Sequence, residues 1–222
     1  MLPGTRRLYA RRVEPVLVKD YLGLLADAPG GASRVLDVGC GPGDLLAALA
    51  RRWPEVRFDG VDADPGQVRL ARARHGGAAR FRHARGRRMP FDDGVFDLAL
   101  ATESLHHWRR PVRTLEEVHR VLRPGGRLVA LEGRGDETWA DVRRRLGTPF
   151  PLVPFMPLVY RRRGYGEEAI EQHVRPCFAG SPFGGCTVAP CGRWWRIEAL
   201  RGTAPVPPRG PRDAPGPLEG RS

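Results

Sequence analysis

Apolar residues in this chain come alternately in short continuous runs and in stripes spaced three and four apart, the marks of strands and helices taken in turn. The first legible element is helical. Pro15 suits a first helical turn, where no N–H is required, and Val16, Leu17, Tyr21, Leu22, Leu24 and Leu25 form a stripe ended by Pro29-Gly30-Gly31. Ahead of it Thr5 can cap a short basic helix, so residues 1–30 predict a helical cap on the main domain. Residues 34–38 (RVLDV) then read as a strand, Gly39-Cys40-Gly41-Pro42-Gly43 as a tight turn, and the segment from Asp44 as a helix stopped by Pro54.

The rhythm repeats. Residues 56–62 predict a second strand, and Asp64-Pro65-Gly66-Gln67 supplies a capping acid, a proline for the first helical position and a glutamine placed to reach back; that helix runs to Gly76-Gly77. Residues 79–84, 95–101 and 127–132 predict three more strands, with a helix over 112–122 ahead of the last. A Pro-rich apolar stretch within 133–165 breaks the pattern and predicts an insertion, after which 167–174 reads as a short helix and 186–189 with 194–200 as a closing strand pair. Strands alternating with helices predict an α/β protein over residues 31–201. Its architecture is a Rossmann-like three-layer αβα sandwich, with a mainly parallel seven-stranded sheet and an antiparallel closing strand. From Gly202 to the end, Pro, Gly and Arg leave little apolar surface to offset the entropy of ordering, so 202–222 predicts a disordered tail.

Charge complicates this picture without overturning it. A formal charge of +12 invites a nucleic-acid partner, because phosphate backbones attract clustered arginine. Lys19 is the only lysine, however, and Arg, Ala, Gly and Pro dominate throughout, as a GC-rich coding bias produces; nucleic acid therefore stays an alternative. No apolar run approaches the roughly 20 residues that span a bilayer, and Lys19 and Asp20 interrupt any leader-like segment, which predicts a cytoplasmic protein. Cys40, Cys177, Cys186 and Cys191 form no C-x-x-C pair, so reduced thiols and no metal site are expected.

The candidate chemistry starts at the glycine turn. Glycines between a strand and a helix let a ligand approach the backbone, but from Gly39 the sixth position of a dinucleotide fingerprint falls on Asp44, whose carboxylate would oppose a pyrophosphate. A ligand without phosphate is expected. With that turn on the page, VLDVGCGPGDLL resembles the first motif of class I S-adenosylmethionine-dependent methyltransferases and VDADPGQV the second. MPFDDGVFDLALATESLHHW and LEEVHRVLRPGGRLVALEG are similar to the fourth-strand and fifth-strand segments of the same superfamily, so the likeness covers about residues 33–132. It is nearest to the ubiquinone and menaquinone C-methyltransferase-like subgroup of small-molecule enzymes (methyltransferase type 11).

The resemblance implies S-adenosylmethionine as cofactor and a small methyl acceptor, expected to be apolar and methylated at oxygen or carbon. It assigns Asp37 to the cofactor's ammonium, Gly39, Cys40, Gly41 and Gly43 to the turn beneath the methionyl and ribose portions, and Asp62 with Ala63 to the ribose. A plain capping role is the alternative for Asp62, but Asp64 already fills it. Arg85 and Gly86 fall where the family meets adenine, and Arg85 departs from the usual Asp or Asn because a guanidinium accepts no hydrogen bond. Ala101 and Thr102 close the implied cofactor set.

Methyl transfer from a sulfonium mainly needs alignment and exclusion of water, and a base only if the acceptor must lose a proton. Glu103, His106 and His107, after the fourth strand, are candidates for that base; packing of the loop is the other reading of each. Phe150, Leu152, Phe155, Met156, Leu158 and Tyr160 can roof an apolar pocket or pack an irregular connection. An RNA methyltransferase using Arg85, Arg87, Arg88 and Arg143 to Arg145, and a non-catalytic relative kept as a binding module, are the competing readings. Oligomeric state leaves no sequence signature.

Overall fold

The computed structural model describes residues 14–135 and 164–203. Expectations for the Thr5 helix, for Pro149 to Tyr160, for Arg143 to Arg145 and for the tail beyond 203 lie outside them. Helix α1 (Glu14–Leu24) precedes β1 (Arg34–Val38), α2 (Asp44–Arg52), β2 (Arg57–Asp62), α3 (Pro65–His75), β3 (Arg80–His83) and β4 (Phe96–Thr102). A 3-10 turn (Leu105–His107) leads to α4 (Pro111–Val121) and β5 (Leu122–Gly133). The described chain resumes in α5, built from Glu167–Ala169, a π-turn over Ile170–Val174 and Arg175–Ala179, and closes with β6 (Thr187–Cys191) and β7 (Trp194–Leu200).

The sheet has seven strands in the order β3-β2-β1-β4-β5-β7-β6. β1 pairs in parallel with both β2 and β4, and β7 pairs antiparallel with both its neighbours, so it is the strand that runs against the rest. The expected fold class holds. Successive residues of each strand point to opposite faces, and both faces are covered. Val35, Leu98, Leu100, Val129, Leu131 and Trp194 join the layer of α1, α2 and α3, while Leu36, Ala99, Ala101, Leu128, Ala130, Trp195 and Ile197 join that of α4 and α5.

Helix α1 enters the first layer through Leu17 and Tyr21, joined by Leu25 just past its end, with the Tyr21 ring 5.0 Å from that of Trp194. The sequence reading differs from the structure mainly at ends. α4 passes into β5 without a separating loop, since Leu122 already pairs with Phe96 before a register shift. α5 continues five residues past its expected end at Val174, through Pro176. Proline lacks an N–H and its ring clashes with the carbonyl four residues earlier; the π-turn just before it widens the helix where that clash would fall. Pro190 is tolerated because β6 is an edge strand.

Two buried guanidiniums tie the α4 layer together. Arg201 donates to the carbonyls of His119, Arg120 and Leu122, where α4 passes into β5. Arg120 pairs with Glu117 at 2.7 Å and Asp93 at 2.6 Å, and donates to Phe91 O at 2.8 Å, while Glu117 also accepts from Met89 N. Replacing Arg120 with Leu strands the Glu117 carboxylate in the interior, and we expect a loss of about 3–5 kcal/mol; a urea titration of the variant against the parent chain measures it.

Candidate functional site

The order β2-β1-β4 reverses the direction in which successive strands are added, and a cleft opens beyond the carboxyl ends of strands at such a reversal. A cavity of about 820 Å³ lies there, within the size range of small-molecule sites. Val38 and Gly39 reach it from β1, Val61 to Asp64 from β2, Ala84 to Arg87 from the loop after β3, and Glu103, Ser104 and His107 to Arg110 from the loop after β4.

The glycine turn is held by its neighbour strand. Asp62, at the end of β2, accepts from Gly41 N at 2.9 Å with one oxygen and from Asp64 N at 2.8 Å with the other. Each oxygen keeps a further lone pair. Gly39 stands at φ 89°, where an added Cβ would fall 2.9 Å from Ser104 Cβ, so only glycine fits. Above Gly41, at φ 52°, a Cβ would meet nothing within 4 Å: the backbone there is bare toward open space. Asp64 caps α3 through Gly66 N, as expected, and Asp44 is engaged by His75 at 2.9 Å.

A second carboxylate organises the opposite wall. Glu132, fully buried at the end of β5, accepts from Ser104 N at 2.8 Å and Leu105 N at 2.6 Å, and its other oxygen lies 2.7 Å from His106 Nδ1. Ser104 in turn donates to Val38 O and accepts from Trp108 Nε1, which stitches the β4 loop to β1. Sequence reasoning missed both Glu132 and Ser104. A charged residue ending the apolar run RLVAL was the available signal for the first; nothing local marks the second.

Two more carboxyls are tuned by burial. Asp37 is buried with Oδ1 lacking a partner, and desolvation followed by the charge of Asp62 pushes its pKa up to about 7. Glu103 is raised to about 7 by desolvation and then by Glu132, against the opposing pull of His106. It is the described non-glycine residue with positive φ, at 50°, and accepts from Gly133 N at 2.6 Å. That strained backbone turns the chain off β4 and into the cavity wall. Cys40 sits buried against Gly60, its thiol pushed up by desolvation, which leaves it a packing residue.

Of the expected site residues, Gly39, Asp62, Ala63, Arg85, Gly86, Glu103 and His107 line the cavity. Asp37, Cys40 and Gly41 lie outside the lining: Asp37 is buried in β1, Cys40 packs against Gly60, and Gly41 donates to Asp62. Gly43 lies at the start of α2 against Phe81, where an added Cβ would come within 2.7 Å of the ring, so its part is close packing. Three other expected residues also lie outside the lining. Ala101 shares the strand face of Ala99 and points into the core, Thr102 remains within the pairing with β5, and the His106 ring is drawn toward Glu132 instead of lining the cavity. The strand simply extends one residue further than read. Arg109 and Arg110, which the sequence reading did not name, line the cavity, as does Arg87, named above only for the RNA alternative.

Residues 36–130 match the family described as a methyltransferase domain. Over 108 residues the chain is 38% identical to a ubiquinone/menaquinone biosynthesis C-methyltransferase of Geobacter sp. (strain M21), covering 46% of each chain. It is 35% identical over 119 residues to the O-methyltransferase cnsE of Penicillium expansum, covering 51% of this chain and 43% of that one. The chain thus spans less than half the length of these curated relatives. A crystal structure of a SAM-dependent methyltransferase from Aquifex aeolicus shares the fold, at TM-score 0.56 and 19% identity over 76% of this chain and 81% of that one. The chain is thus similar in sequence to methyltransferase domains across its first five strands, and it shares the fold of a SAM-dependent methyltransferase across most of its length.

Proposed function

We propose that this protein transfers a methyl group from S-adenosylmethionine to an oxygen or carbon of a small metabolite. The observation that carries the reading is the pairing of Asp62 with the bare Gly41 backbone at the edge of a cavity large enough for a nucleoside and an acceptor. When bound, S-adenosylmethionine supplies a methyl group already activated on a sulfonium. The chain's residues have the remaining tasks of binding, alignment and exclusion of water.

Each task has a candidate. Asp62 would accept both ribose hydroxyls on its remaining lone pairs, and Asp37 would offer its orphaned oxygen to the ammonium. Arg85 cannot accept from the adenine amino group, so its planar guanidinium would stack and the Gly86 backbone would meet the edge. Glu103 would take the acceptor's proton: it lines the cavity and its carboxyl titrates near neutrality, where a general base works best. Glu132 and His106 act through it and through the loop, as positioning residues. The quinone C-methyltransferase and the fungal O-methyltransferase resembled above support a small acceptor. Cys40, Cys177, Cys186 and Cys191 are all free thiols, in keeping with the cytoplasm.

Calorimetry against S-adenosylmethionine and S-adenosylhomocysteine tests the reading directly: well-folded protein that binds neither is not an enzyme of this class. Because a cation beside Asp37 favours its ionised form, binding of S-adenosylmethionine should release protons near pH 7 and tighten as pH rises through that value. Asp37→Asn should remove most of this linkage, read by titration in buffers of different ionisation enthalpy.

Glu103 makes two predictions of opposite sign. Its pKa is raised in the folded chain, so its contribution to stability is fully present below the ordinary value of 4.5 and is lost as pH rises through about 7. Glu103→Gln should therefore flatten the fall in urea stability between pH 5 and pH 8, by roughly 1–3 kcal/mol. Methylation of a hydroxyl acceptor should instead rise through pH 7 in the parent chain and lose that limb in the variant, slowed about 100-fold.

A further inference from the structure

The carboxylates and guanidiniums around the cavity do not pair with one another. Asp62 is turned to the amides of Gly41 and Asp64, Asp64 to Gly66 and Glu103 to Gly133. Arg85, Arg87, Arg109 and Arg110 are exposed residues that line the same cavity, and none has a carboxylate partner among the described residues. Arginines elsewhere divide: Arg34, Arg120, Arg123 and Arg196 each meet an acid within 3.0 Å, whereas the exposed Arg51, Arg57 and Arg80 meet none among the described residues. What sets the four apart is that they border one cavity. S-adenosylmethionine adds to their positive charge, because its sulfonium and ammonium outweigh its single carboxylate. A site that gathers four guanidiniums around a cationic cofactor lacks one component, an anion.

We propose that the methyl acceptor carries an anionic group, a carboxylate or a phosphate, received by Arg85, Arg87, Arg109 and Arg110 at the mouth of the cavity. The inference rests on the methyltransferase reading and revises the expectation of a wholly apolar acceptor. Arginine suits the task because its planar fork meets either oxyanion with two parallel hydrogen bonds. Trp108, on the same wall and fixed by Ser104, offers a flat surface for the rest of the molecule. The arrangement favours a small anion over a nucleic acid: the four residues line one cavity, whereas a phosphate backbone needs an extended track. Acceptor and cofactor then strengthen each other's binding, as linkage requires.

The test titrates the full chain, saturated with S-adenosylhomocysteine, with 2-naphthoate, 2-naphthyl phosphate and uncharged 2-naphthamide. One or both anions should bind about tenfold or more tightly than the amide. The preferred anion tells carboxylate from phosphate. Joint Arg109→Gln and Arg110→Gln substitution should erase the preference, and Arg80→Gln, exposed on β3 outside the cavity, should leave it intact. A second readout does not depend on the probe's shape: the joint variant should favour S-adenosylmethionine over S-adenosylhomocysteine severalfold more than the parent does, about the effect of removing like charges nearby.

Equal binding of acid and amide together with an unchanged cofactor ratio overturns the proposal. So does salt-sensitive binding of a short RNA that the Arg80 and Arg109/Arg110 variants weaken alike while the small anions do not bind, since that marks an extended surface. If S-adenosylhomocysteine itself does not bind, the methyltransferase reading fails first and this inference falls with it.

Discussion

The cavity depends on a carboxylate at the end of one strand holding the loop that leaves its neighbour. Asp62 on β2 grips the glycine turn after β1, and Glu132 on β5 grips the loop after β4 through the amides of Ser104 and Leu105. In a parallel sheet all these strands end on the same side, so each acid has a neighbouring loop within reach. Hydrogen bonds from backbone amides to a carboxylate are among the stronger kinds, and here they fix the walls before any ligand arrives. Ser104 closes the circuit from the β4 loop back to Val38.

Around those walls the electrostatics divide into a buried layer and a rim. Asp37, buried in β1, and Glu103, in the inner wall, have carboxyls that burial raises to about 7, which makes them responsive to a cation or a departing proton. Arginines form the rim, in solvent, where long-range attraction acts on a ligand before it docks. On the proposed reading a cationic cofactor suits the buried layer and an anionic acceptor the rim. Arg85 belongs to that rim, and its departure from an acidic or amide residue ceases to be an isolated oddity.

How far the site could be read differs from residue to residue. Gly39, Asp62, Ala63, Gly86, Glu103 and His107 were placed by strand ends and motif likeness, and all of them line the cavity. Others stand apart from the lining for physical reasons. Ala101 and Thr102, assigned by the resemblance, end β4, and pairing with β5 carries that strand through Thr102. His106 and His107 are adjacent and chemically alike; only the position of Glu132, 26 residues away in the chain, separates the one held in the wall from the one on the cavity.

The order of strands and helices, the glycine turn and the acid that faces it were determined by the sequence alone, because they follow from side-chain spacing and local backbone sterics. Tertiary structure decided which charges pair. Asp44 meets His75, Glu132 meets the β4 loop, and Arg85, Arg87, Arg109 and Arg110 line one cavity with no acid partner among the described residues. Electrostatic partners are chosen by distance through space, and the parallel crossovers that bring these residues together separate them along the chain.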